Sequence, residues 1–153
     1  MALKPDRIES HTDISFFMNA VAERGVVVVA ATGATNVGAS MDDAGALAEV
    51  AATPSGKLPL GVLLNDVKDY DLTKQHINWY KDEVQKGGKV TLLRQGQVTT
   101  DAIASVTPKA GETAYLSTDG KMSNADSGGA PAIGQFLSKK DSDGYAKVDI
   151  NIS

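Results

Sequence analysis

The sequence of 153 residues contains no cysteine and few aromatic residues. The absence of cysteine excludes disulfide bonds, thiolate metal sites and cysteine nucleophiles. Lys and Arg are scattered and are outnumbered by Asp and Glu, 15 against 19, so the concentrated positive charge of a nucleic-acid surface is missing. The longest apolar run is too short to cross a bilayer, and the polar start "MALKPDRIES" lacks the apolar core of a secretory signal. We therefore expect a protein that uses neither nucleic acid nor membrane as a partner.

The composition is that of a folded domain. Hydrophobic residues make up 42% of the chain and charged residues 22%, which favours a globular protein over a disordered one. The length is typical of one domain and is sufficient to bury a core. Since aromatics account for only 5%, we expect a core built mainly from Val, Leu, Ile and Ala.

The C-terminal stretch "GYAKVDINIS" alternates apolar and polar residues, which is typical of a half-buried strand. Val148, Ile150 and Ile152 fall on the predicted core face, whereas Lys147 and Asp149 fall on the solvent face. The preceding "SKKDSDG" contains an Asp-Gly pair, which favours a tight turn because glycine accepts a positive φ. The strand is therefore predicted to form a hairpin with "AIGQFL" upstream, and "DSDG" to be a turn rather than a calcium loop.

Similar patterns predict a mainly-β fold, a small β-barrel or β-sandwich (tulip-like) domain with an extended N-terminal arm. The run "GVVVVAAT" is typical of a strand covered on both faces, and "KVTLLRQGQV" suggests a hairpin that turns near Gly96. The predicted strands lie near Val26–Thr32, Leu60–Val67, Val90–Leu93, Thr113–Leu116, Ile133–Leu137 and Ala146–Ile152.

Two stretches of the chain are weakly similar to each other. "DAGALAEVAATPSGKL" and "KAGETAYLSTDGKMSN" share a spacing of apolar residues, turns and glycines, and each is followed by a proline and an apolar strand. Gly61 and Gly134 fall at equivalent places. We interpret the β domain, residues 25–153, as two strand-turn units of about 25–84 and 89–153 that close one core together.

The N-terminal segment has no clean period. In "HTDISFFMNAVAERG", alternate residues could belong to a strand, and other spacings suit a helix that ends at Gly25. We interpret residues 1–24 as an arm that packs against a neighbouring chain, so that a chain beginning near Gly25 should still fold. Trp79 and Tyr80 could pack in the core or contact another subunit. The predicted interface with a subunit or other partner comprises Ile14, Phe16, Phe17, Met18, Trp79 and Tyr80.

No motif in the sequence predicts catalysis. The two histidines, His11 and His76, are far apart in sequence, and neither a nucleophile elbow nor a phosphate-binding loop occurs. Asp42, Asp43, His76 and Asp82 would be the plausible donors of a hydrolase site assembled from distant residues. We expect no enzyme activity, no cofactor and no bound metal.

Several stretches together resemble the capsid decoration (cement) proteins of tailed bacteriophages. These are "TDISFFMNAVAERG", "DLTKQHINWYKDEVQKGGKVTLLRQGQVTT", "AGETAYLSTDGKMS" and "IGQFLSKKDSDGYAKVDI", and they span most of the chain from Thr12 onward. The resemblance implies a non-enzymatic virion protein, made in the host cytoplasm, that binds the outer surface of the capsid and stabilises it by bridging capsomers. It also implies two kinds of partner, the major capsid protein and further copies of the chain, as a trimer or a dimer.

A different class of function stays open beside this one. A module that binds host glycans or another surface partner would use exposed aromatic rings, and Trp79 and Tyr80 are the candidates. The two hypotheses differ in whether those rings face solvent in the assembled state.

Overall fold

The computed structural model describes residues 3–31, 46–69 and 83–152. The protein is mainly β, as the sequence predicts, and the described strands do not close into a barrel but are compatible with a sandwich-like arrangement. The strands are β1 (Ile8–Asp13), β2 (Phe17–Met18), β3 (Val27–Ala30), β4 (Leu47–Glu49), β5 (Pro59–Leu63), β6 (Asp66–Lys68), β7 (Glu83–Gln85), β8 (Leu92–Thr100), β9 (Thr113–Leu116), β10 (Met122–Ser123), β11 (Ala132–Phe136) and β12 (Ala146–Asn151). A 3₁₀ turn, Thr118–Gly120, links β9 to β10.

Strand β8 joins two groups of strands. The order of pairing is β10-β9-β11-β12-β8-β5-β3-β4-β2, and β1 pairs with β8 as well. β1 runs along residues 92–97 of β8, while β5 pairs with residues 92–93 and β12 with residues 95–100. Because a strand has two edges, β5 and β12 occupy the edge opposite β1, one after the other. The sheet therefore divides at β8 into one layer of β9–β12 and another of β2–β5.

A β-bulge in β8 allows this division. The β1 register passes from His11 opposite Gln95 to Thr12 opposite Leu93, so Arg94 is an extra residue on β8. A second shift, between Glu9 and His11, leaves Ser10 as the extra residue on β1. A bulge bends its strand and increases the local twist. The bulge at Arg94 lies between residues 92–93, which pair with β5, and residues 95–100, which pair with β12.

The main core lies between the two layers. It combines side chains of β3 and β5, such as Val27, Val29 and Val62, with those of β9, β11 and β12. A second cluster covers the other face of the β3–β5 layer and contains Met18, Val28, Ala48, Leu63, Val67, Val90 and Leu92. Successive valines of β3 thus point into different clusters, and all three are fully buried. The prediction that "GVVVVAAT" forms a doubly covered strand is confirmed.

The predicted C-terminal hairpin is also confirmed. β11 and β12 pair antiparallel, Val148 and Ile150 are buried in the main core, and Gly144 adopts a φ of 87° in the turn. Lys147 and Asp149 are half-buried rather than fully exposed.

The hairpin predicted near Gly96 is wrong. β8 continues through Gly96 because β1 and β12 pair with the strand on its two edges at this point. Gly96 has a φ of 150°, and a Cβ there would lie 2.0 Å from the carbonyl oxygen of Ile8. The glycine signals a close approach between strands, not a turn.

The two weakly similar stretches differ in strand pairing. The alignment equates β4 with β9 and β5 with β11, yet β3 lies between β4 and β5, whereas β9 and β11 are direct neighbours. The matched glycines do share a role. A Cβ on Gly61 would lie 2.8 Å from the Leu93 carbonyl oxygen, and one on Gly134 would lie 1.8 Å from that of Asp149. Each glycine allows a neighbouring strand to pack closely.

The expectation of a separate N-terminal arm is corrected by the described part of residues 1–24. Leu3 is 1% exposed and bridges to Thr100, and β1 pairs with β8. β2 runs parallel to β4, and Ala22 bridges to Val67. The segment changes partner several times along its length, which explains why its apolar residues follow no single period.

Candidate interaction surface

Exposed large apolar side chains concentrate in the N-terminal segment. Among the residues described, four such side chains are exposed, and Ile8, Ile14 and Val21 all belong to residues 3–24, at 55%, 64% and 54% exposure. The fourth, Leu58, is 69% exposed and precedes β5. Ile8 and Ile14 lie at opposite ends of β1, since Ile8 is opposite Gln97 and Asp13 is opposite Leu92, so they are separate side chains and not one patch. Ile14 is the most exposed of the three in the N-terminal segment.

Ile14 is held outward by a turn built from its two neighbours. The Asp13 carboxylate oxygen Oδ1 accepts a hydrogen bond of 2.8 Å from the Ser15 amide and one of 2.5 Å from the Ser15 hydroxyl. Such an Asx turn fixes the backbone around its middle residue. Arg94 Nη1 lies 3.9 Å from Asp13 Oδ2, which ties the turn to β8. Ile14 is therefore an apolar side chain presented to solvent from a hydrogen-bonded turn.

The electrostatics of this turn favour a charged Asp13. Hydrogen bonds from the Ser15 hydroxyl and amide lower the pKa of Asp13, slight burial opposes them, and the charges of Arg94 and His11 lower it further. The net pKa lies below the usual value, so Asp13 keeps its charge, and its strength as a hydrogen-bond acceptor, to a lower pH than an unperturbed aspartate would.

The other predicted interface residues lie in different environments. Met18 is fully buried in the second core cluster of its own chain and is therefore not available to a partner. Phe16 is half-buried against the same cluster. Phe17 is also half-buried, and Lys89 Nζ lies 5.5 Å from the centre of its ring. Trp79 and Tyr80 lie outside the described residues.

The far end of the N-terminal segment is fixed by an ion pair. Asp66 Oδ1 accepts a hydrogen bond of 2.8 Å from the Arg24 amide, and Arg24 Nη2 lies 3.1 Å from Asp66 Oδ2. Partial burial raises the pKa of Asp66, but hydrogen bonds and the charge of Arg24 outweigh it, and the pKa falls below its usual value. Two backbone hydrogen bonds between Ala22 and Val67 complete the attachment.

The residues considered for a hydrolase site belong to the part of the chain that the structure does not describe. Asp42, Asp43, His76 and Asp82 lie outside the described residues, and His11 is exposed on β1. Across residues 3–31, 46–69 and 83–152, no group of three or more His, Asp or Glu side chains is placed to hold a metal ion. In the same ranges no helix is long and apolar enough to span a membrane.

A shallow polar cleft of about 200 Å³ lies beside β1. It is lined by Arg7, Glu9, Leu64, Asn65 and Thr91. Arg7 pairs with Glu9, and the Asn65 side-chain oxygen accepts a hydrogen bond of 2.8 Å from the Thr91 amide. The main polar groups that line the cleft are therefore engaged in contacts within the protein, and we assign no ligand or reaction to the cleft.

No protein-family model and no curated protein matches the chain. The resemblance to decoration proteins consequently remains a prediction from the sequence stretches named above.

Proposed function

We propose that this chain is a structural virion protein that binds the outer surface of an assembled tailed-bacteriophage capsid and stabilises it by bridging capsomers. The family resemblance of the sequence motivates the proposal. The observation that carries it is Ile14, an apolar side chain 64% exposed on a turn that the Asp13 carboxylate forms with Ser15. The major capsid protein and further copies of the chain are the proposed partners.

The local turn around Ile14 suits such a role, because the Asp13–Ser15 hydrogen bonds lie within residues 13–15 and do not depend on the pairing of β1 with β8. A side chain that is already ordered loses little conformational entropy on binding, so more of its contact energy contributes to affinity. Complete burial of an isoleucine side chain contributes about 1.5–3 kcal/mol. One such contact is weak, but many identical sites on one shell increase the total stabilisation.

Stabilisation of the shell follows from mass action. A protein that binds the expanded lattice and not its dissociated subunits shifts the equilibrium toward the lattice by its binding free energy. No chemical step is required. The strength of the effect depends on the affinity at each site and on the concentration of the chain.

The test compares two variants of equal chemistry. Ile14→Ser and Leu58→Ser each replace a highly exposed apolar side chain by a polar one. Leu58 precedes β5, whereas Ile14 follows Asp13, which pairs with Leu92 near the other end of β5. The two positions are thus roughly 17 Å apart along the strand direction.

Binding is measured by co-sedimentation with expanded and unexpanded shells of the phage that encodes the chain. We expect the wild type to bind expanded shells, Ile14→Ser to bind about tenfold more weakly, and Leu58→Ser to bind like the wild type. Absence of wild-type binding to expanded shells would refute the proposed function. If Leu58→Ser alone weakened binding to expanded shells, the capsid contact would lie at the other end of β5, and the proposed function would still hold.

A further inference from the structure

Strand β1 is attached to the protein without burying side chains. Within the described range 3–31, residues 5–15 include no buried side chain, and five of the six residues of β1 are exposed. On either side of this stretch, Leu3 is 1% exposed and Met18 is fully buried. We call residues 5–15 the strap.

Backbone hydrogen bonds and two ion pairs hold the strap. β1 pairs with β8 through a ladder that two register shifts interrupt. At one end Lys4 Nζ lies 3.5 Å from Asp141 Oδ2, and at the other Arg94 Nη1 lies 3.9 Å from Asp13 Oδ2. The Lys4–Asp141 pair is exposed to solvent and the Arg94–Asp13 pair is long, so each adds little to the hydrogen-bonded ladder. The strap therefore lacks the apolar contacts that make other strands of the fold hard to open.

We propose that the strap opens locally from the folded protein, separating β1 from β8 while both layers and the anchors Leu3 and Met18 stay in place. Local openings of a native protein require less free energy where few apolar contacts are buried and many backbone hydrogen bonds are exposed. β8 keeps β5 and β12 on its other edge during the opening. The inference concerns the folded chain and does not depend on capsid binding.

The opening changes two surfaces at once. Residues 92–97 of β8 lose their partner strand and present free backbone groups along one edge. The strap itself becomes a loop closed at both ends, since Leu3 and Met18 remain buried. Ile8 and Ile14 lie on this loop, so their side chains are exposed to solvent in different positions in the open and closed forms. The strap is thus a segment that opens and closes while attached at both ends, and not a free arm.

Hydrogen exchange of the native protein tests the proposal. We expect the slowest-exchanging amides of the strap to exchange at least about a hundredfold faster than those of β12, because the former need only local opening. Strap exchange should change little at low denaturant concentration, since the opening exposes little surface. Equal rates and equal denaturant dependence in the strap and β12 would overturn the proposal.

Two variants separate strap opening from general destabilisation. Asp13→Asn weakens the contacts with Ser15 and Arg94 and should speed strap exchange roughly fivefold while β12 is unchanged. The control Lys57→Gln removes an ion pair with Glu49 inside one layer, 3.6 Å long, and should leave strap exchange unchanged. Equal acceleration of strap and β12 by Asp13→Asn would contradict a local opening.

A disulfide lock provides the reverse test. Ile8 and Gln97 are directly opposite in the β1–β8 ladder, and the chain has no other cysteine that could compete. Opposite Cβ atoms in such a ladder are close enough for a disulfide. The oxidised double variant Ile8→Cys and Gln97→Cys should slow strap exchange more than about tenfold, and reduction should restore it. Unchanged exchange in the oxidised protein would show that the strap does not open from β8.

Discussion

Replacement of Met18 by alanine tests whether the N-terminal segment is part of the folded core. Met18 is fully buried among Val28, Leu63 and other members of the second core cluster. Its amide donates to the Gly88 carbonyl at 3.1 Å, and its carbonyl accepts from the Gly87 amide at 2.8 Å. The side chain therefore occupies a site that its backbone fixes, and the surroundings cannot easily collapse into the space that the substitution leaves.

The expected loss of stability follows from this burial. Truncation of a buried methionine to alanine costs about 2–5 kcal/mol, and the upper part of the range applies where the cavity persists. For a chain of this size each kcal/mol lowers the melting temperature by about 2–4 °C, so a fall of roughly 4–20 °C is expected. The control Ile14→Ala lies four residues away, is 64% exposed, and should change stability by less than about 0.5 kcal/mol.

Urea unfolding followed by far-ultraviolet circular dichroism measures both variants. If Met18→Ala were as mild as Ile14→Ala, the segment would not belong to the core and a projecting arm would be the better description. Removal of residues 1–24 gives an independent check. Because it deletes Leu3, Met18 and the Arg24 ion pair together, we now expect the shortened chain to be severely destabilised, contrary to the expectation from sequence.

Three further substitutions test the rest of the structure. Ile150→Ala should cost about 2–5 kcal/mol because Ile150 is 1% exposed in the main core, whereas Asp149→Ala should cost much less; both are measured by urea unfolding. Asp66→Asn should cost about 1.5–3 kcal/mol at neutral pH by weakening the bonds with Arg24. Because folding lowers the pKa of Asp66, its contribution to the free energy of unfolding is complete above the unfolded-state pKa and disappears as the pH falls through the folded-state pKa. The difference in unfolding free energy between wild type and Asp66→Asn should therefore shrink in acid, and a constant difference would contradict this. Gly134→Ala would place a Cβ 1.8 Å from the Asp149 carbonyl oxygen and should disrupt the β11–β12 pairing, which a normal melting temperature would disprove.

Local patterns determined the strands whose partners lie nearby. The alternation in "KVDINI" predicts a half-buried strand, and the Asp-Gly pair before it predicts the turn, because both signals depend on backbone geometry within a few residues. The β-branched run that forms β3 likewise indicates burial on both faces. The mainly-β class, the C-terminal hairpin and the core face of β12 could be predicted from the sequence for this reason.

The tertiary structure alone decided which strands share an edge. Nothing in "LLRQGQV" shows that Gly96 lies beside β1, or that β8 pairs with β5 and then with β12 along one edge. Both facts depend on strands that are distant in sequence. The N-terminal segment illustrates the same limit. Its apolar residues contact one partner after another, so Met18 is buried while Ile14 is exposed, and no periodic pattern arises. A periodic pattern records a single continuous environment, and where the environment changes within a few residues only the assembled fold determines which side chains are buried.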